Sequence, residues 1–84
     1  MAVEIVMPQA GQDLDVGNVK QWLKREGDEV KRGEPIVQIE TEKISLDIEA
    51  PSDGVLRRIL VGDGQEAAIL SVIGIIAGAD EVID

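Results

Sequence analysis

The sequence lacks cysteine and histidine altogether, and its 84 residues include one tryptophan but no phenylalanine or tyrosine. Without cysteine there can be no disulfide and no thiolate metal site, and without histidine the commonest general base and zinc ligand are missing. Serine–histidine triads, cysteine nucleophiles and zinc hydrolysis are therefore excluded. Because aromatic residues are almost absent, the core must be aliphatic, and few rings are available to stack on nucleobases.

Basic residues are also scarce, with eight Lys and Arg against seventeen Asp and Glu, for a net charge of −9. This charge argues against nucleic acid and anionic membranes as partners and fits a protein that meets basic surfaces. Residues 1–8 lack the basic and apolar regions of a signal peptide, and the apolar stretch 67–79 is too short and interrupted to span a bilayer. We therefore expect a cytoplasmic domain (or a mitochondrial-matrix one in a eukaryote) that is monomeric in isolation.

Apolar residues recur with period two in short runs, as in Ile44, Leu46 and Ile48, and turn residues such as those in 51–54 and 62–64 separate the runs. Many short strands with regular turn signals predict an all-β sandwich or barrel. The one tryptophan, Trp22, is expected to pack in or against the core.

The chain also repeats itself weakly when it is shifted by 37 residues. One repeat is too short to bury its own apolar face, so the two halves are predicted to pack together with approximate two-fold symmetry. Lys43 falls where the first half passes into the second, which places it at one end of the molecule. The matched pairs are Gly17 and Gly54, Leu23 and Leu60, Gly27 and Gly64, Glu29 and Glu66, Ile36 and Ile73, and Ile39 and Ile76.

Lys43 lies in a predicted hairpin in which residues 36–40 run in and residues 44–49 run out. The connection contains no Gly, Pro or Asn, which favours a type I turn with Glu42 and Lys43 at its central positions. An exposed lysine is protonated at neutral pH, whereas Schiff-base chemistry needs a buried lysine with a lowered pKa. Lys43 is therefore better suited to being acylated by another enzyme than to acting as a nucleophile.

Eight motifs stand in a characteristic order along most of the chain. They are Met7-Pro8, Gly17-Asn18-Val19, Trp22, Glu26-Gly27-Asp28-Glu29-Val30, Gly33, Ile39-Glu40-Thr41-Glu42-Lys43-Ile44, Ala50-Pro51 and Gly54-Val55-Leu56. Their order and spacing resemble a lipoyl domain of the dihydrolipoamide acyltransferase (E2) of a 2-oxo acid dehydrogenase complex. The resemblance implies a single domain over residues 1–84, with a core over about 3–78. It also implies a flattened β-barrel of two four-stranded antiparallel sheets with quasi-two-fold symmetry.

The same resemblance implies that Lys43 carries lipoic acid in amide linkage, with Glu42 and Ile44 as flanking recognition residues. A lipoate ligase or lipoyl transferase would attach the group. The implied partners are the thiamine-dependent decarboxylase (E1), the E2 acyltransferase domain and dihydrolipoamide dehydrogenase (E3). The domain itself would be a carrier without an active site. The wording of residues 50–59 is similar to the pyruvate- and acetoin-type branch.

The sequence departs from the family pattern at two places. A shift of Gly33 by 37 residues gives Leu70, so we expect the turn near Leu70 and Ser71 to be built differently from its counterpart. The other departure is a loop that in the family helps E1 choose its carrier, and it lacks the common Gly-Glu-Gly wording. That partner-recognition loop consists of Gly11, Gln12, Asp13, Leu14 and Asp15.

Three other interpretations of these residues compete with the lipoyl carrier. A biotin carrier of a carboxylase has the same fold, but it places methionine on both sides of the modified lysine, where this chain has Glu42 and Ile44. An unmodified β-barrel interaction module is the second alternative. A calcium site is the third, but the carboxylates of 40–49 do not have the spacing of a calcium loop, and strand alternation is expected to spread them over both faces. No metal is therefore predicted. The sequence is compatible with a piece of a longer acyltransferase or with a free-standing carrier.

Overall fold

The computed structural model describes residues 2–9, 15–42 and 44–82. All the regular secondary structure in these ranges is β-strand. A helix able to cross a bilayer is not found among the residues that the structure describes. The all-β prediction is confirmed. The strands are β1 (Val3–Val6), β2 (Val16–Trp22), β3 (Glu29–Val30), β4 (Pro35–Glu40), β5 (Ser45–Glu49), β6 (Gly54–Ile59), β7 (Glu66–Ala68) and β8 (Val72–Ala77).

The strands form two four-stranded antiparallel sheets, ordered β1-β8-β6-β3 and β5-β4-β2-β7. The two orders become identical when β1, β2, β3 and β4 are matched with β5, β6, β7 and β8. A shift of 37 residues carries β4 onto β8 without an offset. The predicted repeat is therefore confirmed as a structural two-fold. Only the β4–β5 connection lacks a counterpart, because its equivalent strands, β8 and β1, are far apart in sequence.

The core is mostly aliphatic, and both halves of the chain contribute to it. The repeat partners Ile36 and Ile73, and likewise Ile39 and Ile76, are fully buried. Trp22 is 8% exposed, and its Nε1 donates a hydrogen bond to the Val61 carbonyl at 2.7 Å, so a polar ring atom is satisfied at the core boundary. The predicted packing role of Trp22 is confirmed.

The turn at Leu70 is built like its counterpart, and our expectation of a different construction was wrong. Gly33 has φ +88°, and Leu70 is the one non-glycine residue with positive φ in the described part of the chain, at +70°. Equivalent backbone bonds close both turns, from Glu34 N to Lys31 O at 2.9 Å and from Ser71 N to Ala68 O at 3.0 Å. Glycine is the usual residue at positive φ, but backbone hydrogen bonds on each side of the turn hold Leu70 in the same conformation.

Replacement of Leu70 by glycine is expected to stabilise the domain. A left-handed backbone costs a non-glycine residue roughly 1–2 kcal/mol, and the added freedom of glycine in the unfolded chain offsets roughly 0.5–1 kcal/mol of that gain. Since the Leu70 side chain is 66% exposed, little packing is lost. Urea denaturation should show a rise of about 0.5–1 kcal/mol in the free energy of unfolding.

The reciprocal variant, Gly33→Leu, is the matched control. An added Cβ at Gly33 meets nothing within 4 Å, so backbone strain is the main cost. The smaller freedom of leucine in the unfolded chain offsets part of it, and stability should fall by about 0.5–1 kcal/mol. A loss of stability in Leu70→Gly would contradict the assignment of strain at Leu70.

Candidate functional site

The β4–β5 hairpin presents the predicted attachment lysine. The strand register pairs Ile39 with Leu46 and Glu40 with Ser45, and Thr41 N then donates to the Ile44 carbonyl at 2.8 Å. Two positions, 42 and 43, remain between these bonded residues. The predicted hairpin is confirmed, although β5 begins at Ser45 and Ile44 belongs to the connection.

Thr41 braces this connection from its buried side. The residue is only 8% exposed. Its Oγ1 accepts a hydrogen bond from Ile44 N at 3.3 Å and donates one to the Ile44 carbonyl at 3.4 Å. Together with the Thr41 N bond, these contacts tie both sides of the tip to each other. The hairpin therefore has a firm base directly below positions 42 and 43.

Removal of the Thr41 hydroxyl is expected to loosen the tip. Thr41→Val keeps the shape but leaves Ile44 N without its side-chain acceptor, which should cost about 1 kcal/mol of stability. It should also slow attachment of a group at the tip by about three-fold or more, because a looser base spreads the positions of the acceptor amine. Initial rates of modification would measure this effect.

Thr41→Ser is the control for that variant. It loses a buried methyl group, which costs about 0.8 kcal/mol, but keeps the hydroxyl. Its stability should thus fall by a similar amount while its modification rate stays close to wild type. Equal rates for the Val and Ser variants would show that the hydroxyl does not position the tip.

The residues that flank the attachment position are accessible. Glu42 is exposed, and Ile44 is 43% exposed although it is a large aliphatic residue. Lys43 itself lies outside the described residues. The hairpin therefore exposes one charged and one apolar side chain, at the positions before and after Lys43 in the sequence.

The predicted recognition loop is anchored at both ends by one turn. Gly11, Gln12, Asp13 and Leu14 lie outside the described residues, whereas Asp15 is described and exposed. The Asp15 carbonyl accepts a bond from Ile69 N at 2.9 Å, and the Met7 carbonyl accepts one from Leu70 N at 2.7 Å. The sequence did not predict that the turn at Leu70 contacts this loop. The one signal was that the 37-residue repeat places Leu70 at the position equivalent to Gly33.

Carboxylates share the outward face of the sheet that bears the hairpin. Glu40, Asp47 and Glu49 are all exposed on β4 and β5, and Asn18 of β2 lies between Glu40 and Glu66. The expectation that strand alternation would spread them over both faces was wrong, because Asp47 and Glu49 are two residues apart and Glu40 pairs with Ser45. Among the described residues, no three or more Asp or Glu side chains are grouped so that they could hold a metal ion.

An open groove of about 680 Å³ lies beside the C-terminal end of β2, and Trp22, Lys24, Ile59 and Asp63 are among its lining residues. Several of its polar groups have protein partners. Trp22 N donates to Asp63 Oδ1 at 2.8 Å, and Lys24 Nζ lies 3.0 Å from Glu34, whose carboxyl pKa this hydrogen bond lowers. The groove lies at the Trp22 end of β2, whereas the hairpin follows Glu40 of β4, which pairs with Asn18 near the start of β2. The groove is therefore separate from the predicted attachment site.

Comparison with known proteins supports a prosthetic-group attachment site. Residues 3–76 match the Biotin_lipoyl family, described as "Biotin-requiring enzyme". The chain is similar in structure to the lipoyl domain of the 2-oxoglutarate dehydrogenase complex from Azotobacter vinelandii. That likeness has a TM-score of 0.76 and 32% identity, and it covers 92% of this chain and 99% of the other.

Two curated relatives are acyltransferase components. The dihydrolipoyllysine-residue acetyltransferase component of the acetoin cleaving system of Bacillus subtilis is 42% identical over 99% of this chain and 21% of its own length. The succinyltransferase component of the 2-oxoglutarate dehydrogenase complex of Rickettsia felis is 40% identical over 88% of this chain and 18% of its own length. The chain thus spans about a fifth of the length of these relatives.

Proposed function

Because this chain belongs to the biotin/lipoyl attachment family and is a lipoyl domain, we propose that Lys43 is the residue that carries lipoic acid, in amide linkage to its Nζ. Lipoic acid, the cofactor expected from the sequence, is the group that lipoyl domains carry covalently on a lysine. The observation that carries the assignment to Lys43 is the braced β4–β5 connection, in which only positions 42 and 43 stand beyond the Thr41–Ile44 bond.

The described residues fit such a group. An attached arm needs a firm base and open surroundings, and the buried Thr41 supplies the base, while the exposed Glu42 and the half-exposed Ile44 leave the surroundings open. Glu42 and Ile44 are the proposed contacts for the lipoate ligase or lipoyl transferase. Neither is methionine, which distinguishes this tip from that of a biotin carrier.

When bound, the dithiolane supplies a redox-active acyl carrier. The protein supplies position. Because β4 and β5 pair within one four-stranded sheet and Thr41 braces their connection, an arm on Lys43 would sweep a limited volume and reach successive active sites at high effective concentration. The exposed carboxylates Glu40, Asp47 and Glu49 would steer the domain toward basic docking surfaces. The proposed partners are a thiamine-dependent decarboxylase (E1), an E2 acyltransferase domain and dihydrolipoamide dehydrogenase (E3).

For the substrate, we propose an acetyl-type acyl group from a pyruvate- or acetoin-type system. The wording of residues 50–59 supports this choice, as does the acetoin relative, which is 42% identical over 99% of the chain; succinyl-type relatives are 40% identical over up to 96% of it. Rates of acylation by pyruvate-, acetoin- and 2-oxoglutarate-type decarboxylases should therefore rank the 2-oxoglutarate enzyme last.

Intact mass after co-expression with lipoyl or biotin ligase tests the carrier role. We expect one lipoyl increment with lipoyl ligase and none with biotin ligase, located by peptide mapping to the segment that contains Lys43. A biotin increment would instead support a carboxylase carrier, since the matched family is described as "Biotin-requiring enzyme". The absence of both increments would support an unmodified interaction module.

A further inference from the structure

The chain that follows β8 is folded into a turn. Glu81 N donates to the Gly78 carbonyl at 3.1 Å, and Gly78 N donates to the Glu81 carboxylate at 3.0 Å. The bond from Gly78 N lowers the pKa of the Glu81 carboxyl, which therefore stays ionised at neutral pH. We call residues 78–81 the terminal turn.

Arg57 binds the terminal turn to the body of the domain. Its Nη1 donates to the carbonyls of Gly78 and Glu81, the second at 2.8 Å. Since these carbonyls belong to the first and last residues of the turn, one guanidinium spans all of it. Hydrogen bonds from a charged donor are roughly twice as strong as neutral ones. The last residues of a domain are poorly ordered unless such contacts hold them.

A bulge in β6 directs Arg57 toward the terminal turn. The register of β6 with β8 shifts between Leu56 and Arg58, so that Arg57 is the extra residue and has no pairing partner on β8. Leu56 is fully buried in the core, and Arg58 pairs with Ile75. Bulges commonly change the direction of a side chain in this way.

The two-fold offers an internal comparison, because β2 has the same bulge. Its register with β4 shifts between Val19 and Gln21, which makes Lys20 the counterpart of Arg57. Lys20 is exposed, whereas Arg57 is half-buried. Beyond Glu40 the chain continues into the β4–β5 hairpin, and the equivalent end of β8 continues into the terminal turn. Where one half has a covalent connection, the other half therefore has an arginine and a turn.

The terminal turn and the hairpin lie at opposite ends of the domain. The hairpin adjoins the start of β2, because Glu40 pairs with Asn18, whereas the terminal turn follows Ala77, which pairs with the start of β6. From the end of β6 the chain passes the end of β2, where Trp22 N donates to Asp63 Oδ1 at 2.8 Å. It then reaches β7, which pairs with the start of β2. The starts of β2 and β6 are thus far apart in a domain that is 39 Å long.

We propose that Arg57 is a latch that holds the terminal turn against the β1-β8-β6-β3 sheet and so fixes the point at which the chain beyond residue 82 leaves the domain. That point lies at the end opposite the hairpin, so the departing chain starts away from the tip. None of the residues involved lies in the hairpin, and the latch is therefore independent of the carrier function.

Amide exchange in the whole 84-residue chain, measured by NMR, tests the latch. Arg57→Gln should speed exchange of the Gly78 and Glu81 amides about ten-fold, because each is protected only while the turn is closed. Arg58→Gln is the matched control, since it removes the same charge from the next residue of β6, which is exposed. It should leave both exchange rates within about two-fold of wild type.

A spin label measures the point of departure directly. The chain has no cysteine and Val82 is 90% exposed, so Val82→Cys provides a single labelling site at little structural cost. In the presence of Arg57 the label should broaden a compact set of amides near Ala77 and the start of β6. When Arg57→Gln is added, broadening of these amides should fall about two-fold or more and spread over other residues, because the segment moves on the nanosecond scale.

Two measurements exclude a disturbed fold as the cause. The Leu56 amide, which donates to the Asp28 carbonyl at 2.9 Å, should exchange at the wild-type rate in every variant. Arg57→Met keeps the aliphatic stem but has no donor, and it should show the same two effects as Arg57→Gln.

Unchanged exchange at Gly78 and Glu81 together with an unchanged label pattern, in both Arg57 variants, would overturn the latch. Equal changes in Arg58→Gln would also overturn it, because the charge of β6 would then be responsible. A domain that shows the latch but is not lipoylated would overturn the proposed function alone.

Discussion

Lys43→Gln is expected to abolish lipoylation and acyl transfer completely, because the amide that links the cofactor can form only at a lysine Nζ. Lys43→Arg should be equally inactive although it keeps the positive charge. The chain has three other lysines, Lys20, Lys24 and Lys31, but none lies at the tip of the braced β4–β5 connection. Intact mass after co-expression with lipoyl ligase would show unmodified protein for both variants.

Lys20→Gln is the matched control, because Lys20 is exposed on β2, in the same sheet as the hairpin. It should be lipoylated like the wild type. All the variants should have wild-type circular dichroism and urea midpoints, since a side chain at the tip contributes little to the core. A lipoyl increment that survives in Lys43→Gln would place the attachment on another residue and refute the proposed site.

Truncation of the core isoleucines should have the largest effect on stability. Ile39 and Ile76 are repeat partners, and both are fully buried. Conversion of either one to alanine should cost about 3 kcal/mol, because the transfer energy of the lost carbon atoms adds to that of the cavity left behind. A domain of this size is stable by only about 5–10 kcal/mol, so the melting temperature should fall by about 15 °C.

Leu60→Ala is the control for these truncations, because Leu60 is 52% exposed. Its truncation should lower the free energy of unfolding by less than about 1 kcal/mol. The two-fold further predicts that Ile39→Ala and Ile76→Ala differ by no more than about 1 kcal/mol, since equivalent positions have equivalent surroundings. A much larger loss for one of them in calorimetry would mean that the two sheets do not share the core equally.

Local pattern was sufficient to predict most of the architecture. The period-two runs and turn signals predicted the strands, and the 37-residue repeat predicted two similar sheets with approximate two-fold symmetry. The structure has this symmetry in the matching orders β1-β8-β6-β3 and β5-β4-β2-β7. These features are readable because burial of one sheet face imposes alternation, and the duplicated halves place it at equal intervals. Lys43 was likewise proposed as the attachment residue from a short local motif.

Contacts between distant segments were not readable in this way. The isolated wording of residues 67–72 suggested a new kind of turn at Leu70, because glycine is the ordinary signal for a positive φ. The tertiary structure holds the leucine there because Leu70 N donates to the Met7 carbonyl and Met7 N donates to the Ser71 carbonyl, and these bonds join segments that are far apart in sequence. Likewise, the grouping of Glu40, Asp47 and Glu49 on one face depends on the β4–β5 register.

The sequence by itself determined that this chain is an aliphatic, acidic, two-fold β domain with a lysine at the join of its halves. Composition, periodicity and a short motif suffice for that, because each is a property of neighbouring residues. The tertiary structure alone decided how the β4–β5 hairpin is braced by Thr41 and how backbone hydrogen bonds close the turn at Leu70. Such arrangements arise from pairing between strands that the chain brings together only on folding.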